Sequence, residues 1–109
     1  MKKTTAAMLL AGALACAPVY GQQTEGNIER AKTKISMCIG CHGIPEYRTA
    51  FPHVYRVPLI AGQHPQYIAG ALRAYKNGDR SHPSMVGIAK TLTDEDIADL
   101  AAFYGQQQK

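Results

Sequence analysis

Apolar residues recur at helical spacing in three stretches of this 109-residue chain, and proline and glycine punctuate what lies between. Ile28, Ala31, Ile35 and Cys38 share one face, with Glu29, Arg30, Lys32 and Lys34 mostly elsewhere, which predicts a first helix capped at Thr24 or Asn27. Tyr67, Ile68, Ala71, Leu72 and Tyr75 form a second stripe, entered through Pro65 and closed by Gly78. The third stripe is Ile97, Leu100, Ala101 and Tyr104, at i, i+3, i+4 and i+7. Thr93 is placed to cap it, and Asp94, Glu95 and Asp96 put negative charge at the positive end of its dipole. Residues 44–63 carry Pro45, Pro52 and Pro58 and predict a long irregular loop; Arg80 to Met85, with Pro83, predicts a linker running into a short turn of helix. No alternating pattern competes, so the expected class is all-α with three main helices.

The N-terminal stretch has a different character. Lys2 and Lys3 precede a small-residue and apolar run, Thr4 to Ala17, that is too short to span a bilayer and ends at Pro18. It predicts an export signal over residues 1–21, cleaved after Val19-Tyr20-Gly21, and one domain over residues 22–109 in the periplasm, with no membrane-spanning segment. A cut after Ala13-Leu14-Ala15 would instead expose Cys16 for lipid anchoring, but the large aliphatic residue usual in such signals is missing at Ala13. The 88 residues left by the first cut are close to the size at which one hydrophobic core needs help. The full chain has a net charge of +4, of which Lys2 and Lys3 supply half, so a nucleic-acid partner is not indicated.

Beyond the signal, only Cys38 and Cys41 remain as cysteines, and they sit in Cys38-Ile39-Gly40-Cys41-His42. Cysteines three apart on a helical turn put both sulfurs on one face, with an imidazole directly following. That pattern suits covalent haem attachment, each thiol forming a thioether and His42 lying under the iron. An exported protein could also join the two cysteines in a disulfide. A thiol–disulfide oxidoreductase uses the same spacing, but normally at a helix N-terminus after a strand, and no βαβ unit is expected here. A zinc site would need a second ligand pair, and none is clustered.

A haem held by His42 needs a second axial ligand or an open position. Met37 adjoins Cys38 and cannot reach the opposite face, whereas Met85 follows a loop and a helix and has enough chain to come round. Its thioether is a soft neutral ligand that favours ferrous iron. Methionines commonly just fill cores, but Met85 lies between Pro83 and Gly87 in the expected linker. His53, His64 and His82 are rivals for the same position, with His82 nearest in sequence.

With this motif early, a methionine later and an amphipathic helix last, residues 24–105 resemble the class I c-type cytochromes. Pro58-Leu59-Ile60-Ala61-Gly62-Gln63 is similar to the family's segment beside the proximal ligand, which implies a second-shell hydrogen bond from His42 to the Pro58 carbonyl. Gly78-Asp79-Arg80 and Leu92 to Tyr104 are similar to short bacterial members. The resemblance implies the cytochrome c fold around one haem c on Cys38 and Cys41, ligated by His42 and Met85, and a tight crossing of the first and last helices, for which Ala31 with Phe103 or Tyr104 is available. It implies an electron-transfer protein rather than an enzyme, with other redox proteins as transient partners, working as a monomer or as a subunit of an enzyme complex. A haem-based redox or gas sensor with a labile Met85 is the alternative. Residues 44–55 depart from the family in lacking glycine and carrying Tyr47, Arg48, Phe51, His53 and Tyr55; Tyr55 or Arg56 is the candidate contact to a haem propionate. Arg48, Arg56, Arg73, Lys76, Arg80 and Lys90 are available as a basic rim for docking.

Overall fold

Thr93 accepts a hydrogen bond from the Asp96 backbone N–H (3.1 Å), and the Asp96 carboxylate accepts one from the Thr93 N–H (2.9 Å). This reciprocal cap starts the helix on which the rest of the chain assembles. The computed structural model describes residues 25–51 and 53–108. The expected export signal, its rival cleavage site at Cys16 and the candidate cap Thr24 lie outside the described residues. The elements are α1 (Ile28–Ala31), α2 (Ser36–His42), β1 (Arg48–Thr49), β2 (Tyr55–Arg56), α3 (Pro65–Asn77), α4 (Pro83–Thr91) and α5 (Asp94–Gln106).

The stripe on α5 is buried as its spacing predicts: Ile97, Leu100, Ala101 and Tyr104 pack with Ala31, Ile68, Ala69 and Leu92 in one core. Full burial of a side chain such as Ile97 or Leu100 contributes about 1.5–3 kcal/mol. α3 packs against α5 and α4, and α1 packs against α5. Ala31 and Tyr104 belong to the same buried cluster, with Phe103 packed against it, as the expected crossing requires. The closest approach is made just before α1, however, at Gly26. A Cβ there would land inside the Ala98 carbonyl and 2.8 Å from the Ala102 Cβ, so only glycine lets the two backbones meet.

Two buried carboxylates lock this crossing. Asp99 accepts from the Asn27 N–H (2.6 Å) and from both Arg30 Nε (2.6 Å) and a terminal Arg30 nitrogen (2.8 Å). Asp96 pairs with Lys34. The Arg30 hydrogen bonds hold the Asp99 carboxyl below its ordinary value, and the Lys34 hydrogen bond does the same for Asp96, with burial opposing both.

The structure corrects three expectations. The first helix is broken: α1 is capped by Asn27, then Lys32–Ile35 forms a tight turn before α2 begins. Thr33 donates its hydroxyl to the Arg30 carbonyl (2.8 Å), and the Thr33 and Lys34 N–H groups reach back only three residues. The 44–63 loop contains a small antiparallel pair, with Arg48 opposite Arg56 and Thr49 opposite Tyr55. Finally, residues 83–91 form a nine-residue helix, so Met85 stands in the first turn of α4 and not in a linker. Pro83 suits that helix start because its missing N–H has no intrahelical partner to lose. Helix α3 runs from Pro65 and ends at Gly78 in the left-handed conformation (φ 90°), as expected.

Candidate haem-binding site

The turn after α1 swings α2 into place, and α2 carries the whole Cys38–His42 motif. The chain then passes through the β1–β2 hairpin and returns along Pro58 to Gln63. The Gly62 N–H donates to the Tyr104 carbonyl (2.9 Å), tying this return segment to α5, and its φ of 73° is one that glycine adopts without strain. The tie sets the Pro58 carbonyl 2.6 Å from His42 Nδ1. A carbonyl only accepts, so Nδ1 carries the proton, which in the neutral ring leaves the lone pair on Nε2.

Cys38, Cys41, His42, Pro58 and Met85 all line one cavity of about 260 Å³. Its wall continues along the α3 stripe, where Tyr67, Ile68, Ala71, Leu72 and Tyr75 all face it. Four large apolar residues that keep more than a third of their surface exposed, Met37, Tyr55, Leu59 and Tyr67, also line it. The α3 stripe therefore serves both surfaces: Ile68 belongs to the buried core and Leu72 packs against it, while both also line the cavity.

Cys38 and Cys41 are both free thiols. Burial pushes the Cys38 thiol up, with the Tyr104 hydroxyl opposing and Cys41 adding to the rise. A redox dithiol needs the reverse, a thiolate favoured at neutral pH, and α2 follows a helical turn and not a strand. The motif thus lacks the strand-then-helix setting of a thiol–disulfide oxidoreductase. The Tyr104 phenol is itself pushed up to about 12, first by burial and then by Cys38.

Among the histidine rivals, His64 caps α3 and contacts Gln66 (3.0 Å) away from the cavity. His82 does line it, and its ring nitrogens are buried. Of the two propionate candidates, Tyr55 lines the cavity, while Arg56 pairs with Glu46 and is not part of the wall. The supposed basic rim is partly committed elsewhere: Lys76 donates to the Leu92 carbonyl (2.6 Å), and Arg80 lies over the Tyr75 ring (4.8 Å).

No family model matches the chain. It is 35% identical to cytochrome c-554(548) of Halomonas halodenitrificans over 86 residues, covering 76% of this chain and 99% of that protein. The chain belongs to the class I c-type cytochromes. It is also 38% identical to cytochrome c4 of Thiocapsa roseopersicina over 98 residues, covering 90% of this chain but only 46% of that longer cytochrome. A third relative, the cytochrome subunit of sulfide dehydrogenase from Chlorobaculum tepidum, is 36% identical over 72 residues, 66% of this chain and 61% of that one. The fold is accordingly the all-α cytochrome c fold, and the protein is an electron-transfer cytochrome carrying covalently bound haem c.

The residues present fit that cofactor. An apolar cavity with two free thiols and a tautomerically committed imidazole in its wall matches a large flat apolar ring that takes two thioethers and one nitrogen ligand. His82 belongs to the same wall, and its two ring nitrogens are buried without hydrogen-bond partners among the described residues.

Proposed function

We propose that this cytochrome is an exported, periplasmic one-electron carrier whose haem is held by Cys38 and Cys41 and ligated by His42 and Met85. When bound, haem supplies a ferric/ferrous couple. The chain's own residues set its terms. His42 presents Nε2 while the Pro58 carbonyl holds its Nδ1 proton, which orients the ring and raises its basicity as a ligand. Met85 offers a soft thioether that favours the ferrous state and so raises the potential. Ile68, Leu72, Ile88 and Leu100 line the cavity with hydrocarbon, which would keep water from a bound haem and lower the local dielectric. His42 and Met85 would together hold the iron, which would leave it no open position for a substrate, and this supports a carrier and not an enzyme.

The observation that carries this reading is the 2.6 Å contact between His42 Nδ1 and the Pro58 carbonyl, beside a cavity that Met85 also lines. Partners are other redox proteins docking briefly or a dehydrogenase holding this chain as a subunit. Two relatives support that range by name, the cytochrome subunit of sulfide dehydrogenase and, at 32% identity, the thiosulfate dehydrogenase electron acceptor of Thiomonas intermedia. Among the described residues no helix is long and apolar enough to cross a membrane. Cleavage of the signal over residues 1–21 leaves the domain as residues 22–109.

Optical spectroscopy of protein exported by a host with haem-attachment machinery tests the ligation. The ferric form is expected to be low-spin and the ferrous form indifferent to carbon monoxide. A high-spin ferric spectrum with ready carbon monoxide binding would replace the carrier by the sensor. Fractionation tests the location: soluble periplasmic recovery supports it, and membrane recovery released by Cys16→Ser would overturn it.

A further inference from the structure

We propose that the turn between β1 and β2, with Phe51 and Val54 at its tip and Arg48 on the strand leading into it, is the surface on which this cytochrome receives a redox partner, and that the partner presents an apolar centre bordered by carboxylates. The inference rests on the electron-carrier reading above and deepens it, from redox partners in general to one face and one surface chemistry.

Met37, Tyr55, Leu59 and Tyr67 are exposed apolar side chains that line the haem cavity, so a bound haem would take up part of their surface. Phe51 and Val54 differ. They are 86% and 70% exposed, more than any other large apolar side chain among the described residues, and neither belongs to the cavity wall. The turn that carries them is anchored from below. Arg48 lies opposite Arg56 and Thr49 opposite Tyr55, and the Val57 N–H donates to the Tyr47 carbonyl (2.9 Å). The Thr49 hydroxyl reaches the His53 and Tyr55 carbonyls (3.3 Å each). The Tyr55 ring packs on His82 with centroids 5.1 Å apart. An aromatic and a branched side chain held out to solvent on an anchored pair of strands form the kind of apolar centre that a small transient interface uses. Val54 adjoins Tyr55 of the cavity wall, so a partner seated on the tip would stand beside the cofactor.

Charge decides between the possible occupants. From Tyr47 to Gly78 the chain carries four formal cations, Arg48, Arg56, Arg73 and Lys76, and no carboxylate. Like charges opposite one another in a ladder are unfavourable, and Arg48 and Arg56 are such a pair. Glu46 pairs with Arg56, whereas exposed Arg48 has no ion-pair partner among the described residues. A carboxylate brought by a partner would balance it. The chain's own exposed acids lie elsewhere, Glu29 on α1 and Asp94 and Glu95 at the start of α5. A second copy docking tip to tip about a two-fold axis would set Arg48 against Arg48, which repels; an acidic partner is attracted and steered.

The test uses the ferrous holoprotein labelled with ¹⁵N and, as the probe, an oxidised flavodoxin, an acidic redox protein whose flavin edge is apolar and bordered by carboxylates. Amide shifts on titration are expected to centre on β1, β2 and the turn between them, and to fade as salt is raised from roughly 20 to 200 mM. Phe51→Ser combined with Val54→Ser should weaken binding by about tenfold, and Arg48→Glu should flatten the salt dependence. Stopped-flow reduction of the ferric holoprotein by reduced flavodoxin should slow in the same variants at low salt. The double tip variant replaces exposed side chains, so its melting temperature and reduction potential should match wild type, which separates docking from folding and ligation. Shifts centred on α1 and α5, no shifts at the lowest salt, or a tip variant that binds and reacts as wild type does would overturn the proposal. So would a dimer in sedimentation velocity that the tip variant abolishes, which would make the face a contact between copies. Tip shifts with phosphatidylglycerol vesicles and none with flavodoxin would overturn it too, in favour of a membrane contact. A wild-type protein lacking covalent haem would fail earlier and distinguishably, at the reading on which this one rests.

Discussion

Replacing Asp99 by alanine removes the polar clasp between the N-terminal segment and α5, and its cost follows from the surroundings. The Asp99 side chain is 2% exposed and accepts three hydrogen bonds, two from Arg30 and one from the Asn27 N–H. A hydrogen bond to a charged group contributes about 1.5–3 kcal/mol. Arg30 is 47% exposed and keeps Glu95 at 3.0 Å, so on losing Asp99 it returns to water and a second carboxylate. The loss therefore falls below the roughly 3–5 kcal/mol of a fully buried pair broken on one side, and about 2–3 kcal/mol is expected. For a domain of this size that lowers the melting temperature by roughly 10–20 °C. Guanidinium unfolding of the ferric holoprotein, followed by circular dichroism and haem absorbance, should show a lower midpoint at unchanged slope. The effect is also pH-dependent. The folded pKa of Asp99 is depressed, so its contribution is complete above the unfolded value of about 4 and is lost as pH falls through the folded one. The gap between wild type and Asp99→Ala should then narrow steadily below about pH 4. A destabilisation under about 0.5 kcal/mol, or a gap that does not change on acidification, would refute the clasp.

Gly26→Ala should destabilise by more than the roughly 1 kcal/mol of an ordinary glycine–alanine difference, because its Cβ meets the Ala98 carbonyl; thermal unfolding measures it. Thr93→Ala breaks the reciprocal cap of α5 and should cost about 1 kcal/mol in the same assay. Met85→Ala should abolish the ferric methionine–iron charge-transfer band and lower the reduction potential, read by spectroelectrochemistry. Cys38→Ala and Cys41→Ala should each leave a single thioether, detectable as a shifted α-band of the reduced pyridine adduct, and the double variant should yield haem extractable by acid and organic solvent.

The stripes on α3 and α5 were legible because each lies between strong boundary residues, Pro65 and Gly78 for one and Thr93 with its acidic turn for the other. Helix α4 was not, although Met85, Ile88, Ala89 and Leu92 recur at i, i+3, i+4 and i+7. Pro83 and Gly87 were read as loop markers, yet a proline at the first helical position and one glycine within are both tolerated. Thr33 escaped notice because its hydroxyl diverts the backbone without disturbing the apolar spacing. Asp96 and Asp99 sit on the outer side of the α5 stripe, and periodicity alone classes such positions as solvated. Only the partner residues Asn27, Arg30 and Lys34, far away in sequence, make their burial tolerable. Gly26 was passed over for the same reason, since a close approach between distant segments leaves no local signature. The site was more readable than the fold around it. Cys38, Cys41 and His42 stand out by their chemistry at short spacing, Met85 by its place in the chain and its soft thioether, and Pro58 by family resemblance. The unpartnered ring of His82 became visible only once Tyr55 and α4 were in place.

The central claim is that Met85 and His42 hold the iron between them. Proton–carbon correlation NMR of the ferrous holoprotein, with methionine methyl groups labelled by ¹³C, tests it most directly. A methyl directly over a low-spin haem is strongly shielded by the ring current. One methionine methyl far upfield, missing in Met85→Ala, is the predicted result; methionine methyls all at ordinary shifts, with Met85 among them, would contradict it.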